Sequence, residues 1–417
     1  MREQLEREAR DAAQALPKLE DDAVREALEA ATGLIGERAD RVLAANGADV
    51  EAAAGELDEG ALDRLRLDRA RVEAIAVQVS ELADLPPLER DVAEWTLENG
   101  LRVRERRIPV GVVGANFEAR PNVAVDVAGQ LLKSRNAALL RTGGAALRTV
   151  TALVDEVLRP ALERAGLPPG AVGLVRSPDR EGARALVSLP HLVPLVILRG
   201  SGETTATLAR LAAEHGVRTL AHAEGGGVLY VHGDADPARA ISLVEASVDR
   251  LGVCNRLNLL LVDREAAAVL PALLEVLARV GIEVRGTARA AAYAPVEPLD
   301  VPIGHEWAND AERVATVTLD VVDGVDEAVA LANGETSGLA AGVVTEDATA
   351  AARFIDGYRG TAAFWHAPTR FTDGYVLTGA PETGINVDGV PGPRGPVTYR
   401  DLWLRQYVVL GDGSQRR

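Results

Sequence analysis

The chain has 417 residues, too many for one ordinary core, and with 47% hydrophobic and 26% charged residues its composition is globular, not disordered or fibrous. Its net charge of −17 argues against nucleic acid or an anionic membrane as the main partner, so an anionic small molecule must be met by local arginines. A single cysteine excludes an intramolecular disulfide and multi-cysteine metal sites.

The charged N-terminal stretch Met1–Arg10 lacks the apolar segment of a signal peptide, and no apolar run approaches the roughly 20 residues of a membrane span. The expectation is a soluble, cytoplasmic protein without a metal.

Residues 1 to about 85 read as helical, because apolar positions recur at three- and four-residue spacing between charges. The pattern stops at Leu85-Pro86-Pro87. A hairpin follows, with strands Val92–Leu97 and Leu101–Arg107 around Asn99-Gly100, a pair suited to a tight turn. From Pro109 short apolar strands alternate with helical stretches: Gly111–Val113, Ala137–Leu140, Val172–Val175, Leu195–Leu198 and Thr219–Ala221. That alternation predicts a parallel sheet in an α/β fold. A second α/β run starts near Gly227, with strands at Leu229–Val231, Leu257–Val262 and Ala340–Val344. The last forty or so residues are rich in glycine and proline and close on the apolar strand Tyr407–Leu410.

Three features carry chemistry. Leu198-Arg199-Gly200-Ser201-Gly202-Glu203 lies between a strand and a helix, where glycines let backbone N–H groups approach a pyrophosphate or simply make a turn. Arg141 ends the Ala137–Leu140 strand, where a cation either meets a ribose or its phosphate or is a solvated strand end. Gly252-Val253-Cys254-Asn255-Arg256 sets the lone cysteine in a polar turn; Cys254 is then a small packing residue, or a nucleophile whose thiolate is favoured by amides and guanidinium charge.

Taken together, Ile108-Pro-Val-Gly-Val-Val-Gly, Glu118-Ala-Arg-Pro-Asn-Val, Leu132-Lys-Ser, Asn136-Ala, Gly252-Val-Cys-Asn, Thr369-Arg-Phe-Thr-Asp-Gly, Arg394-Gly-Pro and Tyr407-Val-Val-Leu-Gly-Asp-Gly resemble the γ-glutamyl phosphate reductases, or glutamate-5-semialdehyde dehydrogenases, of the aldehyde dehydrogenase superfamily. Ala45-Asn46, Asp63-Arg64-Leu65 and Asn99-Gly100-Leu101 fit as well, so the resemblance spans nearly the whole chain in order. It implies an aldehyde dehydrogenase-like fold: a Rossmann-like cofactor-binding domain over residues 1–225 with an oligomerisation hairpin at about 92–107, a catalytic domain over 226–365, and a C-terminal return with an oligomerisation strand over 366–417.

The resemblance implies NADPH as cofactor, with Arg141 at the adenosine ribose and the Gly200, Ser201 and Gly202 loop under the phosphates. It implies Cys254 as nucleophile; the developing oxyanion needs N–H donors, for which the Cys254 amide and Asn122 are candidates. Arg120, Arg250 and Arg370 are candidates for substrate phosphate or carboxylate, or equally structural ion pairs. The substrate would be an acyl phosphate, L-glutamyl 5-phosphate, reduced to glutamate 5-semialdehyde in proline synthesis by a homo-oligomer. Oxidative aldehyde dehydrogenases carry a Glu-x-Gly-Gly segment whose glutamate activates water. Here His222-Ala-Glu224-Gly stands at that place: His222 suits an enzyme whose thioester is not meant to meet water, or is equally a satisfied polar residue, and Glu224 is only two residues away.

Departures from the family pattern are Arg135 for a glycine, His366-Ala367-Pro368 for Asn-Ala-Ser, Asn258 for a glutamate, and a glutamate near Trp307 that Asp310 and Glu312 both approximate. Three rivals remain: an oxidative dehydrogenase using water, a paralogous reductase of another acyl phosphate, and a catalytically silent homologue serving as a scaffold.

Overall fold

A computed structural model describes the chain except for Asp58, Ser201, Ala223, Glu224, Ala311, Val390, Pro391 and Arg417, and the side chain of His222. The chain folds into two compact units, Met1–His222 with Ala380–Gly384 and Val397–Arg417, and Ala223–Gly379 with Ile385–Pro396.

The first unit opens with the helices Arg2–Ala15, Asp21–Glu37, Ala39–Ala53, Glu59–Leu65 and Arg69–Asp84, as the spacing predicts. Their apolar stripes are buried: Leu28, Ala31 and Ile35 on one helix, Val72, Ile75 and Val79 on another. Asp68 caps the last of them by accepting from Arg71 N at 2.7 Å. Buried Asn46 ties this layer together, donating to Leu65 O at 2.9 Å and Thr149 Oγ1 at 3.2 Å and accepting from Leu67 N at 2.7 Å.

The hairpin is β1 (Asp91–Thr96) and β2 (Arg102–Pro109), turning at Gly100 with φ 85°. The next strands are β3 (Val112–Phe117), β4 (Ala137–Thr142), β5 (Val172–Leu174), β6 (Leu195–Arg199) and β7 (Arg218–His222). They form a five-stranded parallel sheet in the order β5-β4-β3-β6-β7. The chain leaves β3 towards β4 and later returns to its other side as β6. The carboxyl ends of β3 and β6 therefore flank a topological switch point, where open α/β sheets bind ligands.

The helix Asn122–Lys133 follows β3 and is fixed against the helical layer at Gly129, where a Cβ would meet Leu82 at 2.8 Å and Leu28 at 3.5 Å. Arg135, just beyond that helix, adopts φ 60°, the left-handed conformation in which a side chain is strained. This explains why the family pattern has glycine there. Here the strain is offset by ion pairs, Arg135 Nη1 to Glu20 at 2.9 Å and Nε to Asp21 Oδ1 at 2.7 Å.

The second unit holds β8 (Gly227–Val231), β9 (Leu257–Asp263), β10 (Glu283–Gly286), β11 (Glu297–Pro298), β12 (Thr316–Val322), β13 (Ala340–Val344) and β14 (Ala362–Trp365). They make an all-parallel sheet in the order β11-β10-β12-β9-β8-β13-β14. The sequence reading found β8, β9 and β13 but not β10, β11, β12 or β14. In β12 a buried Asp320 breaks the apolar run, satisfied by Thr287 and by an ion pair to Arg289.

After the short pair β15 (Gly384–Asn386) and β16 (Gly395–Val397), the chain ends in β17 (Trp403–Leu410). β17 starts four residues earlier than the apolar run alone suggests and pairs antiparallel with β2, from Trp403↔Pro109 to Leu410↔Arg102. Arg107 stacks over the Trp403 ring at 4.9 Å, which holds that extension in the sheet. Trp95 meets Tyr407 edge-on, with ring centroids 6.0 Å apart, on a three-stranded sheet that leaves Trp95, Leu404, Tyr407 and Val409 exposed.

Candidate active site

In the first unit, residues singled out from sequence gather at the switch point. Glu118, Arg120 and Asn122 follow β3, and Gly200 and Gly202 follow β6. Arg120 Nε pairs with Glu118 Oε1 at 2.6 Å. A Cβ at Gly200 would lie 3.6 Å from Glu118 Oε2, so the two loops approach closely. Asn122 opens its helix, and its Nδ2 donates to Asp126 Oδ2 at 3.2 Å. Burial pushes the Asp126 carboxyl up to about 6, against the opposing pull of Arg199 and Asn122 and with a small push from Glu382.

Arg141, one strand away, is buried. Its guanidinium donates to Asn116 Oδ1 at 3.2 Å, Pro178 O at 3.3 Å and Asp179 O at 3.1 Å. Burial, with Arg180 nearby, lowers its pKa. Among the described residues its Nε has no partner and no carboxylate lies within ion-pair distance of it. His222 ends β7 opposite Arg199 of β6, and its side chain, like Ser201 and Glu224, lies outside the described residues.

In the second unit, Cys254 sits half-buried in the turn that enters β9, at the amino edge of the parallel sheet. The turn is held on every side. Cys254 O accepts from Gly226 N at 2.6 Å. Asn255 Nδ2 donates to Arg370 O at 3.0 Å and Thr372 O at 3.1 Å, and Asn255 O accepts from Thr369 Oγ1 at 2.9 Å. Thr369-Arg-Phe-Thr thus braces the cysteine turn.

The arginines differ in what they are free to do. Arg370 pairs with Asp249 at 2.5 Å and hydrogen-bonds Asn255, so its charge is committed to this brace. Arg256 is fully buried, donates to Val314 O at 2.6 Å and Thr316 O at 2.5 Å, and burial pushes its pKa down to about 10. Arg250 is exposed and makes no hydrogen bond or ion pair to other described residues, which leaves it available to an anion.

Two of the departures from the family pattern have structural accounts here. Asn258 grips the loop before β12 from both sides of Glu306, donating to His305 O at 2.8 Å and accepting from Trp307 N at 3.0 Å. His366 takes φ 56°, a conformation that asparagine adopts more readily. The sequence reading missed Glu306. A Cβ at Gly225 would meet Glu306 Oε1 at 2.5 Å and Cys254 Cβ at 2.6 Å. The Gly225-Gly226-Gly227 run was the available signal, since a close approach demands residues without side chains.

A family model described as the aldehyde dehydrogenase family matches residues 3–291. The chain belongs to the aldehyde dehydrogenase family. It is an oxidoreductase of that family, and relatives 34–38% identical to it are named gamma-glutamyl phosphate reductase. The one from a Caulobacter species is 36% identical over 395 residues, covering 94% of this chain and 92% of the relative. The one from Chloroflexus aurantiacus is 38% identical over 431 residues, covering 99% and 98%. The crystal structure of gamma-glutamyl phosphate reductase from Thermotoga maritima superposes with a TM-score of 0.92 at 30% identity, covering 99% of this chain and 100% of that one. An acetylating aldehyde dehydrogenase from Geobacillus thermoglucosidasius shares the fold at 17% identity, with a TM-score of 0.69. No helix among the described residues is long and apolar enough to cross a membrane.

Proposed function

We propose that this chain reduces L-glutamyl 5-phosphate to glutamate 5-semialdehyde and phosphate with NADPH, as a step of proline synthesis in the cytoplasm. The observation that carries this reading is the 38% identity to a gamma-glutamyl phosphate reductase across 99% of the chain.

The nicotinamide cofactor fits the first unit. The buried Arg141, with an unpartnered Nε and no carboxylate partner among the described residues, suits a ribose 2′-phosphate, and the Gly200–Gly202 junction at the switch point suits a pyrophosphate. Bound there, the cofactor supplies the hydride. The chain's own part is nucleophilic. The Cys254 sulfur attacks the acyl carbon, the carbon–oxygen bond to phosphate breaks, and a thioester remains. The Cys254 amide is suited to the developing oxyanion. Arg250, exposed four residues before Cys254, suits a substrate anion. For Arg120 and Arg370 the ion pairs to Glu118 and Asp249 favour a bracing role.

His222 in place of the water-activating glutamate supports an acyl-enzyme that waits for phosphate, not water. The exposed apolar face of the β1-β2-β17 sheet supports assembly with further copies. The test is an assay of NADPH formation from NADP+ and a panel of aldehydes. Phosphate-dependent oxidation confined to glutamate semialdehyde is expected; equal rates on simple aldehydes would move the substrate elsewhere.

A further inference from the structure

The Cys254 turn has a carboxylate beside it that the family pattern does not supply from its usual segment. Glu306 Oε1 and Cys254 Cβ both crowd the point where a Gly225 side chain would start, at 2.5 Å and 2.6 Å. The placement is rigid. Asn258 holds the backbone on both sides of Glu306. Trp307 is fully buried, with Nε1 donating to Thr318 Oγ1 at 2.9 Å, and a Cβ at Gly304 would run into the Glu335 carbonyl. The carboxylate itself is oriented, because Asn309 Nδ2 donates to Oε2 at 2.8 Å and the other oxygen, Oε1, is the one on the cysteine side.

We propose that Glu306 is the general base and acid for the Cys254 thiol during acyl transfer, an inference that rests on reading Cys254 as a nucleophile towards an acyl phosphate. The Glu306 carboxylate takes the thiol proton as the sulfur–carbon bond forms. The carbon–oxygen bond to phosphate then breaks, its electron pair leaves with the phosphate, and the carboxylic acid hands the proton to that oxygen. Glu306 returns to its starting state, and the acyl group stays on sulfur. A carboxylate on the cysteine side of its loop, anchored by its other oxygen, is the arrangement such a relay needs.

The experiment measures turnover and iodoacetamide alkylation of Cys254 at pH 7 in the parent, Glu306→Gln, Glu306→Ala and Cys254→Ser. Glu306→Gln keeps the size of the side chain and an acceptor for Asn309. It is expected to lose roughly 100-fold or more in turnover and to slow Cys254 alkylation as well, because both reactions need the thiol proton removed. Added formate is expected to restore part of the turnover of Glu306→Ala, which a bracing role does not allow. Turnover or alkylation kept within a few-fold in Glu306→Gln, or both falling together without formate rescue of Glu306→Ala, overturns the proposal. If Cys254→Ser itself keeps turnover, the nucleophile reading fails; if Cys254→Ser is dead and Glu306→Gln is active, only Glu306 is displaced.

Discussion

The Asn122 amide donates to the Asp126 carboxylate across 3.2 Å, one helical turn along the same helix. That bond ties the first residue of the helix to its second turn. The arrangement places a carboxyl where burial raises its pKa to about 6.

A raised carboxyl pKa has a definite sign for stability. Between the ordinary value of 3.8 and about 6 the folded chain binds the Asp126 proton more tightly than the unfolded chain does. The stabilisation is thus complete below 3.8 and lost as pH rises through about 6. Asp126→Asn, which cannot ionise, is expected to melt close to the parent at pH 4 and above it at pH 7, by the equivalent of about 1–3 kcal/mol. Calorimetry at the two pH values checks this. An equal difference at both would show that Asp126 ionisation costs nothing.

Arg135 tests the balance of strain against ion pairing. Its left-handed φ of 60° costs about 1–2 kcal/mol in a residue with a Cβ, while Asp21 and Glu20 pair with the guanidinium. Arg135→Gly loses the pairs and the strain together and is expected to stay within about 1 kcal/mol of the parent. Arg135→Ala keeps the strain, loses the pairs and should be the less stable variant by about 1 kcal/mol or more in denaturant titration. If alanine equals glycine, backbone strain is not what this position is about.

Arg141→Ala bears on cofactor choice. A guanidinium gains a bidentate pair from a 2′-phosphate and little from a hydroxyl, so NADPH binding should weaken at least tenfold more than NADH binding in fluorescence titrations. The variant also releases the carbonyls of Pro178 and Asp179, so its melting point should fall modestly. Equal weakening of both cofactors would leave Arg141 as a brace for that loop.

Much of the fold was legible in sequence because it is local. Apolar runs bounded by turns gave β3 to β9, and Asn99-Gly100 placed the hairpin within a residue or two at its turn. What was hidden is non-local. Asp320 reads as a strand breaker until Arg289 is seen beside it. Arg135 and His366 read as departures until their φ angles show why glycine or asparagine is usual there. Glu306 reaches the surroundings of Cys254 from a loop some fifty residues away, through glycines whose only signal is the lack of a side chain. Asp310, weighed in sequence with Glu312 as a match to the family glutamate, pairs with Arg313 at 3.0 Å and His305 at 3.4 Å.

If Cys254 works as proposed, its acyl-enzyme is resolved by phosphate and not by water. Glu306 makes the question sharper, since a carboxylate near the cysteine is also what thioester hydrolysis would use. The decisive measurement is a pre-steady-state run with NADP+ and glutamate semialdehyde, first without phosphate and then with it. The expected trace is an NADPH burst that stalls near one equivalent per active site and resumes when phosphate is added. Continuous turnover without phosphate, abolished by Glu306→Gln or Glu224→Gln, would contradict this and make the chain an oxidative aldehyde dehydrogenase.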